Sequence, residues 1–148
     1  FHTVRHAVPA LRQAGGGAII NISSVAGRMG IPMRTPYAAS KWGVVGLTRS
    51  LAVELGGYGI RVNALLPGLV AGPRIDRVIA ARARNMGLTV EEETELELAG
   101  VSLRQFVRAA DIANMALFLA SPYGAMVSGQ AISIDGDLQS LPWQPPAD

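Results

Sequence analysis

Three residues have side chains whose types and spacing suit proton transfer: Ser24, Tyr37 and Lys41. Tyr37 and Lys41 stand four apart in a segment that reads as helix, so they share one face within interaction range. A phenol is a poor base near neutrality, but an adjacent ammonium favours the phenolate. The pair can then exchange a proton with a substrate hydroxyl or carbonyl. Taken alone the spacing is weak, because a tyrosine and a lysine on a helix face more often serve packing and solvent contact. Ser24 sharpens it. It closely follows the apolar run Ala18-Ile19-Ile20-Asn21-Ile22, thirteen residues before Tyr37, where a hydroxyl can hold a substrate oxygen instead of merely closing a turn.

The elements that must position these residues alternate along the chain. Val4, Ala7, Val8 and Leu11 mark one face of a first helix, which Gly15-Gly16-Gly17 ends. The β-branched run to Ile22 predicts a strand buried in a parallel sheet, and residues 23–36 a long loop. Thr35 is the expected N-cap and Pro36 the first residue of a helix reaching about Leu55, stopped by Gly56-Gly57. Ile60 to Leu66 reads as a second strand, broken by Pro67-Gly68. An Arg-rich helix from Arg74 to about Arg84 follows, then a segment whose Thr89 and Glu92 fit a capping box. Asp111 is the expected cap of a helix over 112–120, and Gln130 to Ile134 a third strand. This order predicts an α/β fold, part of a doubly wound, Rossmann-like parallel sheet with its ligand crevice off the carboxyl ends of the strands. The loops after Ile22 and Leu66 fall there.

Composition narrows the function classes. The chain has 148 residues, 49% hydrophobic and 16% charged, enough for one domain with a sizeable core. Thirteen Lys and Arg against eleven Asp and Glu give a net charge of +2, which does not call for a nucleic-acid partner. The basic stretch Arg74, Arg77, Arg82, Arg84 and the acidic stretch Glu91, Glu92, Glu93, Glu95, Glu97 read as two solvated helix faces. Without cysteine there is no disulfide framework and no thiolate metal site, so a reducing cytoplasm is the expectation and no metal is expected. No apolar run is long enough to span a bilayer, and the first residues lack the pattern of a signal peptide, as though the chain began mid-protein.

The joint pattern resembles the short-chain dehydrogenase/reductase family, single-domain branch. Asn21-Ile22-Ser23-Ser24-Val25-Ala26-Gly27, Tyr37-Ala38-Ala39-Ser40-Lys41 and Arg61-Val62-Asn63-Ala64-Leu65-Leu66-Pro67-Gly68 look like its consecutive signatures. Asp111-Ile112-Ala113 and Gly129 to Gly136 continue the likeness over nearly the whole chain. The resemblance implies an NAD- or NADP-dependent interconversion of a secondary alcohol and a ketone, on 3-oxoacyl thioesters, sugars, polyols or steroids. It implies Ser24 as the group that orients the substrate oxygen and Tyr37 as general acid/base. Lys41 would support the phenolate and hydrogen-bond the nicotinamide ribose. Pro67-Gly68 would line the nicotinamide pocket, and the Val70 backbone would meet the carboxamide. Where many members carry a threonine this chain has Gly72, so that side-chain contact is not expected. Residues from Arg74 to about Gly100 match the family's variable lid over the substrate. The long helix bearing Ala38, Ala39, Gly43, Gly46 and Ala52 matches the one that pairs in family dimers, so a homodimer or homotetramer is implied, although these small residues equally suit packing on the chain's own sheet.

The family's pyrophosphate-binding glycine loop is not among these residues. Gly15-Gly16-Gly17 precedes a strand and Gly56-Gly57-Tyr58-Gly59 follows a helix, so both read as turns. Residues 1–141 are therefore expected to be the catalytic C-terminal half of such a domain and residues 142–148 a Pro-rich tail, and the isolated chain is expected neither to bind dinucleotide tightly nor to turn over. The alternatives are an inactive truncated remnant serving as a binding or assembly module, and a serine hydrolase. The hydrolase lacks support, since His2 and His6 lie on the first helix with no acid partner.

Overall fold

In a computed structural model of the chain, residues 1–139 are described, and the expected tail at 142–148 lies outside them. The elements are α1 (His2–Gln13), β1 (Gly17–Ile22), α2 (Thr35–Leu55), β2 (Ile60–Pro67), α3 (Pro73–Met86), α4 (Val90–Ala99), α5 (Ala109–Ala120) and β3 (Ala131–Ile134). The three strands form a parallel sheet in the order β1-β2-β3, with Ile20 opposite Asn63 and Leu65 opposite Ile132. This is the α/β architecture expected from the alternation of elements.

The sheet is buried unevenly. β2, hydrogen-bonded on both sides, is buried over most of its length, with Val62, Ala64 and Leu65 at 0% exposure. β1, expected to be buried, is only half-buried and ends on an exposed Ile22, because β2 is its one neighbour among the described residues. Ile60 and Val62 of β2 pack with Val4 of α1 and with Leu51 and Leu55 of α2, and Ala64 and Leu66 pack with Val45 of α2. Alternate residues of the strand thus meet the helices, as the two-residue period requires. Asn63 is buried because both ends of its amide are used: Nδ2 donates to the Val127 carbonyl at 2.8 Å, and Oδ1 accepts from the Gln130 amide at 3.0 Å.

The helix starts refine the expected caps. α2 begins one residue earlier than anticipated, so Arg34 occupies the cap position, Thr35 the first turn, and no side chain caps the helix. The Ala38 amide reaches the Arg34 carbonyl at 2.9 Å, which closes the first turn from Arg34 and leaves Thr35 no capping role. The capping box at Thr89 and Glu92 forms as expected. Asp111 is not itself the cap of α5. It is the third helical residue, and its carboxylate accepts from the backbone and guanidinium of Arg108. The two glycine turns pack together at the start of β1 and β2, where the Gly17 amide donates to the Gly59 carbonyl at 3.1 Å. A Cβ on Gly16 would stand 2.6 Å from the Gly59 oxygen.

The link from β1 to α2 is tight. Ser23 Oγ donates to the Lys41 carbonyl at 2.8 Å, and a Cβ on Gly27 would stand 2.6 Å from Ser23 Oγ and 2.9 Å from the same Lys41 oxygen. Only a glycine lets the loop lie this close to the helix backbone. Gly27→Ala should therefore lower stability by roughly 1–3 kcal/mol through overpacking and speed amide exchange across residues 23–28, whereas unchanged exchange would contradict the close approach.

The capping carboxylates give a second prediction. The bonds Glu92 accepts from Thr89, and Asp111 from Arg108, hold both carboxyls below their ordinary values. Their contribution to stability is present above the ordinary carboxylate range and is lost as pH falls through the lowered folded-state values. In thermal unfolding, the advantage of the wild type over Glu92→Gln and Asp111→Asn should narrow below about pH 4, and a gap independent of pH would contradict it.

Candidate active site

The carboxyl ends of β1 and β2 open into a cavity of about 410 Å³ whose lining includes Ser24, Val25, Tyr37, Gly68 and Val70. Each arrives from a different element. Ser24, 9% exposed, follows the end of β1, and its Oγ accepts from the Ala26 amide at 3.2 Å. Tyr37 is in the first turn of α2, and Lys41 is one turn further on, with Nζ 5.6 Å from the Tyr37 ring centroid. Lys41 Nζ also donates to the Ile22 carbonyl at 3.2 Å, which ties the ammonium back to the strand that delivers Ser24. The structure brings Ser24 and Tyr37 to one cavity and sets Lys41 beside them.

The other wall is the turn after β2. The Gly68 amide donates to the Ile134 carbonyl at 3.0 Å, and a Cβ on Gly68 would stand 2.6 Å from that of Asp135. Asp135, buried, receives Arg28 Nη2 at 2.7 Å, and the same nitrogen donates to the Leu138 carbonyl at 2.6 Å. The loop after β1, the turn after β2 and the end of β3 are thus bound together below the cavity. Beyond Gly68, Val70 bridges to Val107 through the Leu69 carbonyl and the Ala71 amide. That pairing leaves the Val70 backbone uncommitted among the described residues, and Val70 itself lines the cavity. Pro67 closes β2 just before this turn.

α3 and α4 form the far side, but not as two solvated faces. Glu93 and Glu97 are buried, at 2% and 1% exposure, because Arg82 of α3 pairs with both: with Glu97 in direct contact and with Glu93 at 4.0 Å. Burying two carboxylates costs too much without such a cation. Glu93 and Glu97, four apart, share one face of α4, but nothing in the sequence names Arg82 of α3 as their partner. Sequence reasoning also missed Ser23, Arg28 and Asp135, which are not among the cavity's lining residues but hold the segments that line it. His2 and His6 are exposed on α1. Gly43 and Gly46 of α2 face open space, so those small residues are not packed on the chain's own sheet.

The residues present fit one side of a nicotinamide dinucleotide. An uncommitted backbone at Val70, a glycine turn and an apolar cavity suit a flat carboxamide-bearing ring, and Lys41 suits a ribose hydroxyl. Neither glycine turn can cradle a pyrophosphate for this cavity, because both pack at the amino ends of the strands, opposite Ser24. No group of three or more His, Cys, Asp or Glu among the described residues is placed to hold a metal ion, and no described helix is long and apolar enough to cross a membrane.

Known proteins agree with this architecture. Residues 1–138 match the family model described as Enoyl-(Acyl carrier protein) reductase. The chain is 37% identical over 137 residues to the D-beta-hydroxybutyrate dehydrogenase of Rhizobium meliloti, an alignment covering 92% of this chain and 53% of that protein. Among solved structures, it superposes on sorbitol-6-phosphate 2-dehydrogenase SrlD from Erwinia amylovora with a TM-score of 0.83 at 34% identity, over 89% of this chain and 52% of that one. It superposes on 7α-hydroxysteroid dehydrogenase complexed with NADH and 7-oxo glycochenodeoxycholic acid with a TM-score of 0.75 at 31% identity, over 96% and 52%. The chain spans about half the length of the curated relatives it matches. With the family match running from α1 through β3, the chain belongs to the short-chain dehydrogenase/reductase family.

Proposed function

We propose that this chain supplies the proton-transfer side of an oxidoreductase that interconverts a secondary alcohol and a ketone with NAD or NADP. The observation that carries the reading is the meeting of Ser24 and Tyr37 on one apolar cavity at the carboxyl edge of the sheet, with Lys41 one helical turn away. When bound, the nicotinamide accepts or gives the hydride at the carbinol carbon. Ser24 Oγ holds the substrate oxygen by a hydrogen bond. The Tyr37 phenolate takes the hydroxyl proton in the oxidative direction, and the phenol returns it to the carbonyl oxygen in the reductive one. Lys41, its ammonium anchored on the Ile22 carbonyl, stands one helical turn from the Tyr37 ring, within reach of a ribose hydroxyl. Pro67, Gly68 and the Val70 backbone form the nicotinamide wall.

Residues 1–141 act in this reading as the catalytic half of the domain. The open glycines of α2, flanked by an exposed Trp42 and Val53, support a homodimer or homotetramer built on that helix. A chain without cysteine is suited to the cytoplasm.

A panel of 3-oxoacyl thioesters, polyols, sugar alcohols and steroid alcohols, run on the full-length protein that carries these residues and followed by nicotinamide absorbance, tests the reading. Tyr37→Phe keeps the ring and removes only the hydroxyl, so turnover should fall by roughly 10²–10⁴-fold with an unchanged melting temperature. Retained activity in Tyr37→Phe, or no turnover of any member of the panel, would refute it.

A further inference from the structure

The charges around the cavity do not cancel. Its lining includes three arginines, Arg34, Arg74 and Arg82, against a single carboxylate, Glu97. Arg82 is committed to Glu97 and Glu93 at the inner end. Arg34 and Arg74 form no ion pair and no side-chain hydrogen bond among the described residues. Arg34 stands at the start of α2, three residues before Tyr37, and Arg74 is the second residue of α3. Two arginines from separate elements, with no partner for either guanidinium among the described residues, therefore line the same cavity as Ser24 and Tyr37, together with the apolar Ile31, Leu69, Ile75 and Val78.

Isolated surface arginines are ordinarily solvated and without consequence. These two converge on one concave, largely apolar space, where a partner anion is shielded from water on several sides and a planar guanidinium can meet two oxygens at once. We infer that the substrate carries an anionic group, a carboxylate or phosphate, which Arg34 and Arg74 grip while its alcohol or ketone oxygen meets Ser24 and Tyr37. This substrate class rests on the proposed function. A dinucleotide diphosphate shares the same chemistry; the cavity that Arg34 and Arg74 share with Ser24 and Tyr37 favours the substrate, and the pyrophosphate arm of the test separates the two.

The test is equilibrium binding to the full chain by calorimetry, with cyclohexanecarboxylate, its uncharged amide and inorganic pyrophosphate as probes. The carboxylate should bind at least roughly tenfold more tightly than the amide, and Arg34→Gln and Arg74→Gln should each weaken it by roughly tenfold. Both side chains are exposed, so the variants should melt like the wild type, and melting curves verify this. Equal binding of acid and amide, binding of neither, or acid binding indifferent to both substitutions overturns the inference. So does arginine-dependent binding of pyrophosphate alone, which assigns the site to the dinucleotide. Loss of acid selectivity with Tyr37-dependent turnover intact sinks the anion site alone. Acid selectivity without Tyr37-dependent turnover sinks the proposed function alone.

Discussion

The site depends on the contact between the exit of β1 and the backbone of α2. Ser23 donates to the Lys41 carbonyl, Lys41 donates in return to the Ile22 carbonyl, and Gly27 fits against the helix with no room for a side chain. These contacts tie the end of the strand to the second turn of the helix. Ser24 and Tyr37, thirteen residues apart in sequence, consequently line one cavity. Strand and helix are also joined above the loop by Asn21, whose Nδ2 donates to Thr48 Oγ1 at 2.9 Å. Tyr37 and Lys41 thus sit on a regular helix and Ser24 on a loop clamped to it, which holds a geometry better than a free loop does.

A second tie fixes the opposite wall. Arg28, from the same loop, reaches across to Asp135 and the Leu138 carbonyl, while Gly68 lies against Asp135. Val25, Val101 and Leu138 close an apolar cluster at that junction. The loop after β1 thus meets α2 on one side and the end of β3 on the other, and the cavity lies between. The α3–α4 pair is built on different terms. There Arg82 gathers two buried carboxylates, an arrangement whose loss would leave negative charge stranded in the interior. Arg82 is taken up by that pairing, which leaves Arg34 and Arg74 as the cavity arginines without a partner among the described residues.

Much of this was legible in the sequence. The three strands and the long helix follow from β-branched runs, helical periodicity and glycine stops, and Ser24, Tyr37 and Lys41 stand out by spacing. What escaped was whatever depends on tertiary context. The half-exposure of β1 is set by its neighbours in the sheet, which a run of Ile cannot reveal. Glu93 and Glu97 read as a solvated face because a sequence does not show which cation crosses from α3 to pair with them. Arg34 and Thr35 exchanged roles by one residue, within the ordinary ambiguity of a helix start. Asp111 was rightly placed at a helix start, but as the acid of a box rather than its cap. Ser23 was hidden beside Ser24, since two adjacent serines give no sign of which hydroxyl serves the helix and which the cavity.

The central claim is that Ser24 and Tyr37 act on one substrate oxygen. A double-mutant cycle on kcat/KM with Ser24→Ala and Tyr37→Phe tests it most directly, because groups that act as a unit lose their effects non-additively. A shared oxygen predicts that adding Ser24→Ala to Tyr37→Phe costs little beyond Tyr37→Phe alone. Losses that simply multiply would show that the two hydroxyls act independently, and would contradict it.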